Sequence, residues 1–319
     1  MTTTVSPTAC GSAMRRLRIA AARRAHPTLI THAAFATATP AERFVGFLSG
    51  AITMRFSALA LVLASGVGLS SAHAAGLPDS GQGSCDNGAN VMVACSAANS
   101  GNGATYPRQD GRFGRDAKAA AGALIKVGAG AAGFDYTKVA NNGTDVPAAT
   151  ALGANAADWA CTRDNATGLT WEVKTTDGGL RDWSRSYAWY DTNGATNGGV
   201  EGYAGADTCG AGGGCNTEAL VTATNSSALC TYTDWRVPTY RELFTLVNYG
   251  PYTPGIPSID TTYFPNTLTF YYWTASTVAR EPRDAWLVDF DIGDSYHVRK
   301  PMFVLDAFYP TRLVRGVPF

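Results

Sequence analysis

Asp234-Trp235-Arg236-Val237-Pro238-Thr239-Tyr240-Arg241-Glu242-Leu243 reads as a turn that delivers the chain into a capped helix. Pro238 is excluded from a helix interior but tolerated just before the cap. Thr239 followed three residues later by Glu242 is a capping box: the hydroxyl accepts from the Glu242 N–H, and the carboxylate reaches back to the Thr239 N–H. Such a cap contributes about 1 kcal/mol. Leu243, Leu246 and Val247 continue at helical spacing, so one face of a short helix is apolar. Trp235 stands outside it as a large buried anchor. Asp234 and Arg236 are expected to brace the turn. The binding loops are expected downstream of it, between Tyr249 and Lys300.

The chain around this stretch has 319 residues, with 35 glycines and only 16% charged residues, a composition that favours turns over exposed helix. Residues 54–74 have the layout of a secretory signal peptide. Arg55 supplies the positive start, Ala58 to Leu69 the apolar run, and Ala72-His73-Ala74 a small-x-small cleavage site. The run falls short of the roughly 20 residues that a membrane span needs. Residues 1–53 lack apolar periodicity and read as an over-extended N-terminus ahead of a start at Met54. The alternative is an unusually long leader. Without residues 1–74 the chain keeps 18 basic and 24 acidic residues, so its formal balance moves from zero to −6. An acidic exported chain is a poor partner for nucleic acid or anionic membrane.

Six cysteines follow the leader, an even number that reads as disulfides in an exported chain. Of the 15 pairings that six cysteines allow, the favoured set is Cys85–Cys95, Cys209–Cys215 and Cys161–Cys230. The last closes the longest loop, and in the loop-entropy picture contributes on the order of 4 kcal/mol.

Residues 75–154 read as an irregular Gly/Ala-rich lead-in, interrupted by two β-like runs, Leu124–Val127 and Phe134–Val139. From 155 onward the pattern is denser. Asn165 to Gly168 is a turn feeding an alternating strand with Leu169, Trp171 and Val173 on one face. Trp183, Tyr187 and Tyr190 have helical spacing. Asn216 or Thr217 caps a second helix. Strand-like runs follow at Tyr271–Ser276, Ala285–Asp291 and Thr311–Arg315. Two short helices among short antiparallel strands make an α+β fold, not a βαβ one.

The blocks Asp164-Asn165-x-Thr167-Gly168-Leu169-x-Trp171-Glu172, Asp234–Leu243, Ile259-Asp260, Phe264-Pro265-Asn266, Tyr272–Ser276, Ala285-Trp286-x-Val288-x-Phe290 and Leu313-Val314-Arg315 occur in an order that resembles the C-terminal domain family of Legionella collagen-like adhesins. The resemblance covers roughly 155–316, within a domain taken as 155–319. It implies a C-type-lectin-like fold and an adhesin-like module that binds sulfated glycans and assembles as a trimer. The collagen-like stalk is missing here, which leaves a homo-oligomer open, and the acidic balance disagrees with a polyanionic ligand.

Catalytic chemistry has little material. His297 is the one histidine after residue 74, so a histidine-based triad would rest on that residue alone, and a multi-histidine zinc site lacks its parts. Asp289, Asp291 and Asp294 lie close together, with 289 and 291 expected on one side of a strand. They could ligate Ca²⁺ or act as an acid/base pair on a glycan, or simply form the wet face of that strand. Tyr252, Tyr271 and Tyr296 could stack on sugar rings, and Arg280, Arg283, Arg299 and Lys300 could meet an anionic group. Trp171, Trp235, Trp273 and Trp286 are expected in the core. The reading is an exported, non-catalytic binding module with a glycan or cell-surface partner and no obligatory cofactor, located in the periplasm, at the cell surface or outside. A carboxylate-based glycan-active enzyme and a structural envelope protein are the alternatives.

Overall fold

The computed structural model describes residues 79–87, 91–95, 109–205, 216–250, 253–302 and 308–318. The leader (1–53 and 54–74), Tyr252 and the Cys209–Cys215 pair lie outside them. Among the described residues no helix is long and apolar enough to cross a membrane.

The architecture is α+β with antiparallel strand pairing throughout the named strands. A hairpin, β1 (Ser84–Asp86) and β2 (Met92–Ala94), carries the Cys85–Cys95 disulfide. Two short helices follow, α1 (Asp110–Phe113) and α2 (Arg115–Ala120). A five-stranded sheet is then built from β3 (Tyr136–Ala140), β4 (Asp145–Val146), β5 (Trp159–Asp164), β6 (Thr170–Glu172) and β10 (Val314–Arg315), in the order β10-β6-β5-β3-β4. The helices α3 (Thr217–Ser226) and α4 (Tyr240–Phe244) come between β6 and a three-stranded sheet of β7 (Tyr271–Val278), β8 (Glu281–Asp289) and β9 (Asp294–Arg299).

Both helices expected from the sequence are present, and each is capped as its residues dictate. The Asn216 side chain accepts from the Ala219 N–H at 2.7 Å, which starts α3. Thr239 and Glu242 form the complete capping box of α4. The turn before β6 closes through Gly168 N–H to the Asp164 carbonyl, with Gly168 at φ +77°, a conformation open to glycine. Cys161–Cys230 joins β5 to the short 3₁₀ turn Leu229–Thr231.

Three expectations need correction. The stretch 75–154 is less irregular than expected: the β-like run at Phe134–Val139 does form β3, but β1, β2, α1, α2 and β4 lie in the stretch too, and Phe134 and Tyr136 pack in the main core with Trp171, Leu243, Phe264 and Tyr272. The β-like composition of Leu124–Val127 does not make a strand. Among the described residues no strand pairs with it, and Ile125 is 93% exposed. The 183–190 segment is not helical. Tyr187 and Tyr190 are held by isolated bridges, to Tyr309 and Gly202, and Trp183 is exposed.

The stretch 234–243 ties the two sheets together. Arg236 exchanges backbone hydrogen bonds with Val314 of β10, both at 2.9 Å. The Pro238 carbonyl accepts from the Ala275 N–H at 2.7 Å, and the Tyr240 N–H donates to Ser276 Oγ at 2.9 Å, both on β7. Glu242, fully buried, holds the geometry. Its carboxylate accepts from the Thr239 N–H at 2.8 Å and from both terminal nitrogens of Arg236 at 2.7 and 2.6 Å. Arg236 in turn donates to the Gly316 carbonyl at 3.2 Å. By contrast, Asp234 pairs with Arg315 at the surface.

Removing one partner of a buried pair leaves the other charge uncompensated, which costs about 3–5 kcal/mol. Glu242→Ala is therefore expected to lose about 3 kcal/mol of stability in urea unfolding. Asp234→Ala, which removes an exposed pair, is expected to lose less than about 1 kcal/mol. Equal losses would show that Glu242 is an ordinary cap.

Candidate functional site

A cavity of about 460 Å³ lies where this stretch meets the start of α3. That size falls in the range of small-ligand sites. Arg236, Val237 and Thr239 form one wall, Ala275 of β7 another, and Thr217, Glu218 and Val221 of α3 a third. Trp189, Tyr190, the loop from Asp191 to Thr196 and Pro318 complete it.

Each wall is pinned. Trp189 is buried and donates its ring N–H to the Thr274 carbonyl at 2.8 Å. Thr217 accepts from the Tyr190 N–H at 3.0 Å and donates to the Tyr190 carbonyl at 2.8 Å, so the first residue of α3 anchors the loop. Glu218 accepts from the Thr192 N–H at 2.8 Å and from the Thr192 hydroxyl at 3.0 Å. Asp191 accepts from the Asn193 N–H at 2.9 Å and from the Thr196 hydroxyl at 2.6 Å. Two carboxylates are thus oriented at the cavity with acceptor capacity to spare, since each oxygen has two lone pairs. Their cation neighbour, Arg236, is committed to Glu242.

The residues singled out in the sequence fall elsewhere. Tyr271 and Tyr296 do meet, with ring centroids 5.9 Å apart, because Tyr296 sits on β9 two strands over. Phe270 and Tyr309 extend the group, at 5.6 and 6.1 Å from Tyr271. Arg280, Arg283 and Arg299 are exposed near the opposite end of the same sheet, around the β7–β8 turn. Tyr271 and Val278 mark the two ends of β7, a distance of roughly 23 Å at about 3.3 Å per residue. Rings and guanidinium groups therefore do not form one compact site. Trp286 is half-buried between Tyr240 and His297, whereas Trp171, Trp235 and Trp273 are core residues as expected. His297 Nδ1 sits 2.8 Å from Asp284 at the surface.

The aspartates are arranged differently from an alternating strand. β8 ends at Asp289, and 290–293 is a turn, so Asp289 and Asp294 face each other across the hairpin. Asp289 Oδ1 accepts from the Asp291 N–H at 2.8 Å, a turn-closing bond. Burial raises the Asp289 carboxyl above the usual carboxylate range. Among the described residues, the acidic groups close enough to share an ion are instead Asp79, Asp110 and Asp116.

Lys300 is not at the surface. It is fully buried and donates to the Asn197 carbonyl at 2.7 Å, the Val200 carbonyl at 3.1 Å and Thr277 Oγ1 at 3.0 Å. Its ammonium lies 3.9 Å from the centre of the Trp189 ring. It is a tie between the 197–200 loop and β7, behind the cavity floor. Trp189, Asp191 and Glu218 were not marked by the sequence. Trp189 lies in a non-periodic segment, and acidic residues near a helix start are common enough to carry no signal.

Lys300→Met would strand three acceptors and is expected to cost about 2 kcal/mol at pH 7. Arg299→Met, at an exposed position, is expected to change stability by no more than about 0.5 kcal/mol. Burial pushes the Lys300 ammonium from 10.5 down to about 8. Between those values the unfolded chain keeps a proton that the folded chain has released, so this group's contribution to stability rises with pH. The stability gap between wild type and Lys300→Met is therefore expected to widen from pH 8 to 10. A flat gap would mean that the ammonium stays charged.

A family model described as the Lcl C-terminal domain matches residues 160–315, a segment that holds the cavity walls from Trp189 to Ala275 and both ends of the 234–243 tie. Neither the curated proteins nor the solved structures give a match. The match supports the family resemblance of this segment to the C-terminal domain of the Lcl adhesins.

Proposed function

We propose that the protein is an exported, non-catalytic, adhesin-like binding module, and that it takes a neutral or amino-substituted glycan in the cavity between α3 and the 234–243 stretch. One observation carries the reading: a 460 Å³ cavity with a Trp189–Val237–Val221 lining and two fixed carboxylates, Asp191 and Glu218, at its loop side. Apolar surface receives the C–H face of a sugar, and oriented acceptors receive its hydroxyl or ammonium hydrogens. The same carboxylates repel sulfate, so the sulfated ligand that the resemblance implies is disfavoured here. The family match, the two described disulfides and the antiparallel α+β layout support export and a lectin-like fold.

Binding to an array of neutral, amino and sulfated glycans tests this. Neutral or amino glycans are expected to bind without release of product. Glu218→Gln and Asp191→Asn are each expected to weaken binding about 10-fold, as loss of a charge-assisted hydrogen bond of about 1.4 kcal/mol predicts. Tyr271→Ala and Tyr296→Ala are expected to leave binding unchanged. Loss of binding in the tyrosine variants alone would move the site to the aromatic strip. Selective binding of sulfated glycans, or turnover, would overturn the proposal.

A further inference from the structure

Asp79, Asp110 and Asp116 come from three separate pieces of backbone: an extended segment, the first residue of α1, and α2. One oxygen from each lies within 4.8 Å of the others. Asp79 and Asp116 are 8% and 2% exposed, and each has an Oδ2 atom that is buried without any hydrogen-bond partner. The two buried carboxyls face each other without a donor between them: burial, then Asp116, raises the Asp79 carboxyl to about 7, as like charges sharing a site do until a proton or a cation compensates them.

The nearby cations are bonded elsewhere. Arg115 donates through Nε to the Gly133 carbonyl at 2.8 Å, and its Nη2 lies 4.0 Å from Asp135. The Lys126 ammonium donates to the Gly130 and Ala132 carbonyls at 2.8 and 2.6 Å. No ion pair involves Asp79, Asp110 or Asp116 among the described residues. The cluster is nonetheless held in place. Asp116 Oδ1 accepts from the Gly133 N–H at 2.8 Å, and the Ser80 hydroxyl donates to Asp110. A cavity of about 320 Å³, lined by Asp79, Ser80, Asp110, Tyr240 and Phe244, gives water and ions access to two of the three carboxylates.

We propose that Asp79, Asp110 and Asp116 form a divalent-cation site that takes Ca²⁺ and clamps the N-terminal segment to the domain. The donor set is all oxygen, which selects hard cations over zinc or copper. Ca²⁺ binds oxygen at about 2.3–2.6 Å and completes six to eight ligands with water, so ligands up to about 4.8 Å apart fit around one ion. The clamp has a definite anchor. The Tyr249 N–H, just past α4, donates to the Ser80 carbonyl at 2.7 Å, so fixing residues 79–80 also fixes the end of the α4 segment. The site stands apart from the glycan cavity and from Asp289, Asp291 and Asp294.

Isothermal titration of the chelator-stripped full chain with CaCl₂ tests the site, with thermal unfolding in parallel. One equivalent is expected to bind, with a rise in Tm. Asp79→Asn and Asp116→Asn are expected to weaken binding at least 10-fold. The exposed Asp110→Asn is expected to weaken it as well and keeps the test sound if the buried variants fail to fold. Asp289→Asn/Asp291→Asn is expected to bind as wild type does. Three outcomes would overturn the proposal: no binding; binding unchanged in Asp110→Asn; or no Ca²⁺ effect together with a more stable Asp116→Asn, which would mark a carboxyl pair compensated by a shared proton.

Discussion

The buried carboxylate of Glu242 is the contact on which the rest of the domain depends. It performs two tasks with one group. Toward its own helix it closes the capping box with Thr239. Toward the rest of the chain it grips the Arg236 guanidinium through both terminal nitrogens. Bidentate geometry fixes orientation as well as distance. Arg236 is thereby held where its backbone pairs with β10 and its side chain reaches Gly316. The β10–β6 ladder and the β7 contacts of Pro238 and Tyr240 then follow from a single ion pair.

A second buried carboxylate repeats the logic at the other end of β6. Glu172 is fully buried and pairs with the equally buried Lys174 at 2.9 Å. Its other oxygen accepts from the Leu313 N–H at 2.8 Å, and its backbone carbonyl accepts from Arg312 at 2.7 Å. Burial lowers both Lys174 and Arg312 below the usual range for their groups. Buried ion pairs are weak sources of net stability, but they penalise every alternative pairing. Glu172 accepts from the residue just before β10, so it holds the last strand against β6, and Glu242 holds the same strand from the helix side. The closing strand has only two residues and needs both.

What the sequence disclosed divides along the range of the interaction. Local grammar was readable: the caps at Thr239 and Asn216, the Gly168 turn, and the Trp171, Trp235 and Trp273 anchors. Cys85–Cys95 and Cys161–Cys230 were readable too, from the local pairing of the first and the loop closed by the second. Non-local charge was not. Glu242 was recognised as a cap, but nothing in its neighbourhood announces a link through Arg236 to Gly316. Lys300 looked like one more surface cation, because its partners Asn197, Val200 and Thr277 lie 23 to 103 residues away. β9 carries little apolar patterning because it is an exposed edge strand, so the meeting of Tyr296 with Tyr271 was hidden. Leu124–Val127 failed in the opposite direction: β propensity describes fit to a neighbouring strand, and no described strand pairs with this segment.

The same division explains why the cavity was missed while its wall was in plain view. A site built from a cap stretch, a helix start and an irregular loop has no period, and periodicity is the main signal that a lone sequence offers. Its parts are nevertheless each held by a specific contact. Arg236 is held by Glu242, Glu218 by Thr192, Tyr190 by Thr217, and Trp189 by Thr274 on one side and by the Lys300 ammonium on the other. In the proposed binding role such support lowers the cost of association, because a preorganised site loses less entropy when a ligand arrives. The 234–243 stretch is therefore scaffold and cavity wall at once, and the scaffold role is what makes the wall rigid.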